Sequence, residues 1–335
     1  MKRGNLRMFR LTSSILFFIS VNILFYTEVA RAEYPERHVT IIVGLEAGGP
    51  VDIACRALVI GASKFLVQPI VVENKAGGGG TVALAVVATA KPDGYTLCAV
   101  PNISIVDTPL MQKVPFKPLK SFTPIIAYAV GTHTALLVKS DSPWKTFNEF
   151  IDYAKKNPSK IKYSSAGVGT SVHVAMEVIA RKEGIKWVHV PFKGARPAIT
   201  ALMGGHVDAC SSGVDWPPHV QSGSLRVLAT HGEKRSPHFS DIPTIKELGY
   251  NYMSFTIHSI VGPAGLPTEA VEKLETAFAK GRETSEFRKA VDTLYLTPYY
   301  HSSKDYGRHL KAKWDESEKL FKEIGIIQEP ATQPD

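Results

Sequence analysis

The sequence predicts an α/β fold of two domains, each a mostly parallel sheet flanked by helices, with a ligand cleft between the domains. Short β-rich apolar runs alternate along the chain with segments of helical period, which is typical of parallel sheets covered by helices. A unit of strand, glycine turn and helix start also occurs twice, about 120 residues apart. Two such units, one in each domain, are placed to face each other across a cleft.

Composition favours packed domains and argues against nucleic-acid binding. The 335 residues are 44% hydrophobic and 21% charged, so a core is expected rather than disorder. The formal net charge is +8, but the first 32 residues carry +4 of it, and the remaining +4 is too small and scattered for nucleic acid. The three cysteines stand in apolar surroundings and are expected in the core, and no Cys/His spacing resembles a metal site.

Residues 1–32 have the pattern of a secretory signal. A basic segment precedes an apolar stretch from Leu11 to about Tyr26, and Ala30-Arg31-Ala32 forms a small-x-small cleavage site. The alternative is an uncleaved membrane anchor, but the stretch is short for a span and interrupted by serines and an asparagine. We therefore expect cleavage after Ala32 and a periplasmic protein.

The first strand–turn–helix unit predicts an anion site. Val39–Val43 is a β-rich run, residues 44–49 form a glycine-punctuated turn, and Pro50 opens a helix that continues to about Phe65. Asp52 falls in the first helical turn. Backbone N–H groups at such a helix start suit a carboxylate or phosphate.

A run of glycines follows the second predicted strand, residues 69–72. Residues 77–80 are all glycine and open a helix over 81–90, before a third strand at 95–100. The pattern Gly78-x-Gly80-x-x-Ala83 resembles a dinucleotide fingerprint, but a tight, mobile loop at the sheet edge is the favoured interpretation. We expect no cofactor.

The predicted domain organisation rests on two places where the chain passes from one domain to the other. Gly131-Thr132-His133 splits two apolar runs, and the apolar strand from Phe255 to Val261 returns the chain. The predicted division is therefore a signal segment 1–32, a first domain of 33–131 and 256–335, and a second domain of 132–255.

The second strand–turn–helix unit lies in the second domain. A strand over 160–164, a glycine turn over 165–170 and a helix over 171–181 follow in order, with Thr170 or Ser171 as the N-cap. His173 lies in the first turn of that helix. A hydrogen bond to the loop backbone is its favoured role, ahead of direct ligand contact.

Further elements complete the α/β pattern. Lys193 and Arg196 follow one of the later strands and are interpreted as solvated loop charges, with an anion-facing rim as the alternative. The last helix shows Tyr306, Leu310 and Trp314 at helical spacing, which predicts a packing role. The other predicted elements are strands at 125–138 (two runs), 187–192, 207–210 and 225–230, and helices at 145–156, 197–202, 241–248 and 267–279.

Ordered motifs along nearly all of the mature chain resemble the solute receptors of the tripartite tricarboxylate transporter family, the Bug-type periplasmic binding proteins. The motifs are Tyr34-Pro35, Ala-Gly-Gly-Pro-x-Asp-x-x-x-Arg (47–56), Val-Val-Glu-Asn-Lys-x-Gly (71–77), Lys-Pro-Asp-Gly-Tyr-Thr-Leu (91–97), Gly-x-Gly-Thr-x-x-His (167–173), Val-Pro-Phe-Lys-Gly (190–194), Gly-Gly-x-Val-Asp (204–208), Arg-Val-Leu-Ala-Thr (226–230), Ile-Pro-Thr-x-x-Glu-x-Gly (242–249) and Gly-Pro-Ala-Gly-x-Pro (262–267).

The resemblance implies a two-domain, type II-like periplasmic binding protein that closes on a small organic acid, a di- or tricarboxylate or an aromatic acid. It further implies that the turns matching residues 45–49 and 165–170 pinch a carboxylate, and that the solute passes to membrane permease subunits. We expect a monomer with no enzymatic activity. Two alternatives stay open, a receptor that serves sensing rather than transport and, less favoured, an exported enzyme, for which no catalytic motif is found.

The predicted ligand-binding residues come from the two turns, from the first-domain connector and from the second domain. They are Leu45, Ala47, Gly48, Gly49, Asp52, Asn102, Ser104, Ser165, Ala166, Gly167, Gly169, Thr170, His173 and Asp208, with Asp215 and His133 as further candidates for the ligand's distal end. Several positions depart from the family pattern, among them the connector at Asp107-Thr108 and Ser121-Phe122, and they leave the ligand's identity open. Leu45 replaces a common aromatic residue, Glu46 adds a negative charge beside the anion site, and His258 replaces a common aromatic residue.

Overall fold

The computed structural model describes residues 33–131, 134–213, 215–235, 239–323, 325 and 327. The predicted signal segment with its cleavage site, and the candidate His133, lie outside these residues. The strands of the described chain form two sheets, one of six strands and one of five.

The first sheet combines residues from both ends of the described chain. Its strands are β1 (Val39–Val43), β2 (Ile70–Asn74), β3 (Thr96–Pro101), β4 (Phe122–Gly131), β10 (Thr256–Pro263) and β11 (Thr297–Ser302). They lie in the order β11-β4-β10-β3-β1-β2. β1 pairs in parallel with β2 and β3, whereas β10 is antiparallel to β3 and β4, and β11 is antiparallel to β4.

The second sheet is built from the middle of the chain. Its strands are β5 (Ala135–Lys139), β6 (Lys162–Ser165), β7 (Val188–Pro191), β8 (Ala209–Ser212) and β9 (Leu225–Thr230), in the order β7-β6-β8-β5-β9. β6 is parallel to β7 and β8, and β5 is antiparallel to β8 and β9. In each sheet most strands therefore run in one direction, as predicted. The reversed strands are β5, β10 and β11, and β5 and β10 directly follow the passages of the chain between the sheets. The exact domain boundaries at 131/132 and 255/256 stay a prediction.

Helices connect the strands and cover the sheets. They are α1 (Pro50–Ala62), α2 (Thr81–Ala88), α3 (Asn102–Ile105), α4 (Asp107–Met111), α5 (Phe147–Lys156), α6 (Ser171–Glu183), α7 (Ala195–Met203), α8 (Pro217–Gln221), α9 (Thr268–Gly281), α10 (Ser285–Thr293) and α11 (Ser303–Glu323), with 3₁₀ turns at Ser63–Phe65 and Gly78–Gly80.

The ends of these helices follow local sequence signals. α1 begins at Pro50, where a missing N–H is harmless. α5 begins with a capping box in which Thr146 and Glu149 each accept a hydrogen bond from the other's backbone N–H. α6 ends at Gly184, which takes the left-handed φ of +66° that glycine adopts without strain.

Two local predictions were wrong because tertiary pairing decides the conformation there. The predicted helix over 241–248 is a series of turns, since Thr230 N–H donates to Pro243 O and Ile245 N–H donates to Thr230 O, which ties this segment to β9. The sequence analysis also did not predict α10 and the edge strand β11. β11 contains Pro298 and forms by pairing with the distant strand β4.

The core consists of apolar layers between sheets and helices. Tyr306, Leu310 and Trp314 of α11 are buried, as their helical spacing predicted. The three cysteines are also buried, as expected. Over the described residues no helix is both long and apolar enough to span a membrane.

Candidate ligand-binding site

A cavity of about 70 Å³ lies between the two sheets, at the ends of strands from both. The first-sheet segments contribute turn, loop and strand-end residues, namely Leu45, Glu46, Pro50, Val51, Gly79, Pro101, Ile103, Thr256 and His258. The second-sheet segment contributes Ala166, Thr170, Ser171, Val172, Ala195 and Gly213. The cavity is therefore built where the two strand–turn–helix units of the sequence meet.

Two helix N-termini converge on this cavity. Pro50 and Val51 are the first residues of α1, and Ser171 and Val172 are the first residues of α6, a helix of the same 13-residue length. Neither helix has a side-chain cap at its N-terminus. The first N–H groups of an α-helix have no partner within the helix, so both ends offer donors and the positive pole of the helix dipole to an anion.

The turn between β1 and α1 is held by a buried carboxylate. Gly48 adopts a φ of +73°, and its N–H donates to Asp52 Oδ2 at 2.8 Å. Asp52 Oδ1 accepts from Arg56 Nε and from Asn74 Nδ2, both at 2.9 Å. Asp52, a predicted ligand-binding residue, thus positions the turn and is not among the residues that line the cavity.

The facing turn between β6 and α6 is held by its own side chains. Gly167 N–H donates to Ser165 Oγ at 3.2 Å, and Thr170 Oγ1 donates to Gly167 O at 2.8 Å. Thr170 occupies the N-cap position, as predicted, but its hydroxyl bonds the turn instead of capping the helix. The first N–H groups of α6 therefore stay available at the cavity.

His173 supports this turn from behind. Its Nδ1 accepts from Gly169 N–H at 3.2 Å, which is the backbone role that the sequence analysis favoured. Its ring stacks on His189 with a centroid distance of 4.1 Å, and His189 Nε2 lies 2.7 Å from Ser165 Oγ. Burial lowers the pKa of His173 to about 4 and that of His189 to about 3, so both rings are neutral at pH 7.

The glycine loop that follows the edge strand β2 extends inward to the cavity, where Gly79 is part of the lining. Ser104 Oγ donates to Gly79 O at 2.5 Å, and a Cβ placed on Gly44 would lie 3.1 Å from Gly80 Cα. This loop therefore packs on the ends of β1 and β3. Asn102 supports the same region, since its Oδ1 accepts from Ile257 N–H at 2.9 Å.

Direct contacts join the two halves of the site. Thr108 Oγ1 donates to Gly169 O at 3.2 Å, and a Cβ placed on Gly169 would lie only 2.6 Å from Thr108 Cα. Glu46 Oε1 accepts from Ala195 N–H at 3.2 Å. Burial raises the pKa of Glu46, while this hydrogen bond acts in the opposite direction.

The predicted residues divide by their place in the structure. Those that line the cavity are Leu45, Ala166 and Thr170. Those that belong to the two adjoining turns are Ala47, Gly48, Gly49, Ser165, Gly167 and Gly169, and those that brace the turns or strand ends are Asp52, Asn102, Ser104 and His173.

The structure does not place Asp208 near the cavity. Asp208 Oδ2 accepts from Lys162 N–H at 2.8 Å at the start of β6, whereas Ala166 follows the end of that strand. Four residues of extended chain separate these points by about 13 Å. Asp215 lies nearer, two residues beyond Gly213, and its Oδ1 accepts from Ser212 Oγ at 3.1 Å.

Several lining residues were missed by the sequence analysis. Val51, Ser171 and Val172 follow from the rule that the first helical turn carries the free N–H groups. Glu46 and His258 were noted only as departures from a family pattern. Ala195 and Gly213 carry no local signal, because only the packing of the two halves brings them to the site.

The chemistry that these residues offer is that of an anion-binding site. Neutral backbone donors and two helix dipoles are present, with apolar side chains around them. Within the described part of the chain, no group of three or more His, Cys, Asp or Glu side chains is placed to hold a metal ion.

Comparisons with known proteins point to one family. The sequence model of the "Tripartite tricarboxylate transporter family receptor" matches residues 54–326. A Cupriavidus necator protein described as "UPF0065 protein in gbd 5'region" is 37% identical over 296 residues, which cover 88% of this chain and 90% of that protein.

Solved structures show the same architecture. The periplasmic binding protein BugD is 29% identical with a TM-score of 0.81, over 88% of this chain and 99% of BugD. The structure of R. palustris Rpa4515 with adipate is 28% identical with a TM-score of 0.81, again over 88% and 99% of the two chains.

Proposed function

This chain belongs to the receptor family of the tripartite tricarboxylate transporters, and on that basis we propose that it is a periplasmic receptor that captures a small organic carboxylate between its two sheets. The observation that carries the proposal is the convergence of the N-termini of α1 and α6 on one cavity. A carboxylate held there gains charge-assisted hydrogen bonds from both halves of the protein.

In this proposal the carboxylate binds between the first residues of the two helices. Its oxygens accept hydrogen bonds from the free backbone N–H groups near Val51 and Val172, with the turns over 47–49 and 166–170 closing around it. Each charge-assisted hydrogen bond contributes about 1.5–3 kcal/mol, and a Kd near 1 μM needs only about 8 kcal/mol in total. Bonds from both halves form together only in the closed state, and that difference favours closure on the ligand.

Structurally similar proteins support the ligand class. Rpa4515 was solved with adipate, a carboxylate, and its fold covers nearly the whole described chain. The proposal includes delivery of the solute to membrane permease subunits, as the family implies. It also includes cleavage after Ala32, domain boundaries at 131/132 and 255/256, and a monomeric state. The rival function is a receptor that serves a sensor, and loss of uptake of the identified acid on gene deletion would favour transport over sensing.

A thermal-shift screen tests the ligand class. The chain from residue 33 onward is refolded to remove bound solute and is then titrated with mono-, di- and aromatic carboxylates, each beside its neutral amide. At 1,000 times Kd a ligand stabilises the native state by about 4 kcal/mol, which raises the Tm by about 8 °C for a domain of this size. A shift with acids and not with amides is the expected result. Equal shifts for acids and amides, or no shift with any acid, would contradict the carboxylate site.

A further inference from the structure

The side chain of Glu46 places a carboxylate of the protein itself inside the site. It extends from the turn before α1 to the opposite half, where Ala195 N–H, at the start of the nine-residue helix α7, donates to its Oε1 at 3.2 Å. A Cβ on Gly194 would lie 1.8 Å from Glu46 Oε2, so only glycine leaves room for this contact. The N-terminus of α7, which otherwise offers a second anion site, is therefore already occupied.

The rest of the cavity offers nothing that would neutralise a second negative charge. No lysine or arginine side chain is among the described residues that line it. His258, which lines it and is buried, has its pKa lowered to about 4 by burial and is therefore neutral at pH 7. The remaining walls are largely apolar, formed by Leu45, Val51, Ile103 and Val172.

The nearest cations lie outside the cavity. Arg196 is exposed and lies over the turn, since a Cβ on Gly48 would be 2.9 Å from its Nη1, and Lys193 is exposed as well. Asp215, close to the wall at Gly213, is a further carboxyl group, and burial raises its pKa. Among the described residues that line the cavity, Glu46 is therefore the only Asp, Glu, Lys or Arg side chain.

The size of the cavity limits the ligand. A volume of about 70 Å³ is well below the roughly 300–1,000 Å³ that is typical of small-molecule pockets. One carboxylate at the helix starts leaves room for a short apolar body only.

We propose that this receptor selects a compact monocarboxylate, and that Glu46 is the specificity residue that rejects a second carboxylate. The inference rests on the proposed function, because it assumes that a first carboxylate binds at the starts of α1 and α6. It separates this chain from Rpa4515, which was solved with the dicarboxylate adipate.

The size of the discrimination follows from the charges. Two carboxylates about 6 Å apart, at an effective dielectric constant near 20, repel each other enough to weaken binding about 100-fold. The neutral Glu46→Gln variant keeps a carbonyl acceptor for Ala195 N–H and removes this repulsion. We expect its preference for a monocarboxylate to fall at least tenfold relative to the wild type.

The experiment is calorimetric titration of matched acids into wild type, Glu46→Gln and Glu73→Gln. The pairs are butyrate and succinate, 4-methylbenzoate and terephthalate, and hexanoate and adipate, each pair sharing one carbon skeleton. Glu73 is exposed on β2 and provides a charge-matched control. Thermal unfolding of all three proteins shows whether they are equally folded.

Each outcome decides between the two proposals. The inference is supported if monocarboxylates bind wild type and Glu73→Gln at least 30-fold more tightly than the matched dicarboxylates do. The same ratio of dissociation constants must then be smaller in Glu46→Gln. The inference is overturned if dicarboxylates bind the wild type as tightly as the matched monocarboxylates or more tightly. It is also overturned if a folded Glu46→Gln keeps the wild-type ratio of dissociation constants. Both results leave the proposed function intact. Absence of binding by every acid overturns the proposed function itself.

Discussion

A close backbone contact between the two halves of the site, Gly169 against Thr108, gives a direct test of closure. Gly169 has a φ of +77°, and a Cβ at this position would lie 2.6 Å from Thr108 Cα and 3.1 Å from Thr108 Cβ. A Cβ contact below 3.0 Å on a backbone atom requires the halves to separate by several tenths of an ångström. The Gly169→Ala variant should therefore oppose the closed state.

The expected magnitude has two parts. Alanine in the left-handed region costs about 1–2 kcal/mol in the open and the closed state alike, so it lowers the free energy of unfolding but not the affinity. Overpacking against Thr108 costs about 1–3 kcal/mol in the closed state only. Because binding is coupled to closure, the Kd should rise about 5- to 150-fold.

Gly184→Ala is the matched control. Gly184 also has a left-handed φ, of +66°, but nothing lies within 4 Å of a Cβ placed there. It should lose similar stability and keep its affinity within about twofold. Calorimetric titration with the acid that gives the largest thermal shift measures both variants. If Gly169→Ala binds as tightly as Gly184→Ala, the bound state does not bring Gly169 against Thr108 and the reasoning is refuted.

Two further predictions concern the supports of the turns. Asp52→Ala removes an acceptor of Gly48, Arg56 and Asn74 and should lower the free energy of unfolding in urea by about 2–3 kcal/mol. The control Asp315→Ala removes only an exposed ion pair with Lys311 and should change it by less than about 1 kcal/mol. Acid should destabilise the protein through His173. The pKa of His173 is about 4 in the folded state and near 6.5 in the unfolded state, so protonation favours the unfolded state. Above about pH 6.5 the ring is neutral in both states and costs no stability. Toward pH 4 the free energy of unfolding falls, by about 2 kcal/mol at pH 5. Urea unfolding at pH 7 and pH 5 measures this loss. The free energy of unfolding should fall less between the two pH values for His173→Gln than for the wild type. An equal fall would show that His173 does not cause the acid destabilisation.

Local sequence signals determined the parts of this fold that depend on neighbours in the chain. Val39–Val43, the start of α1 at Pro50 and the start of α6 at Ser171 were predicted at the residues where the structure has them, because apolar runs, proline and capping residues act within a few positions. The two glycine turns were predicted for the same reason. The family was also identified from motifs that are local in sequence.

Tertiary structure alone decided which residues meet. Asp208 was predicted at the site from its motif, but the register of β6 and β8 places it at the far end of the strand. Glu46 and Ala195 are 149 positions apart, and no pattern in either segment indicates their hydrogen bond. Such contacts depend on how the two sheets pack. The sequence therefore determined the two helix starts by itself, and only the packing of the two halves decided what surrounds them.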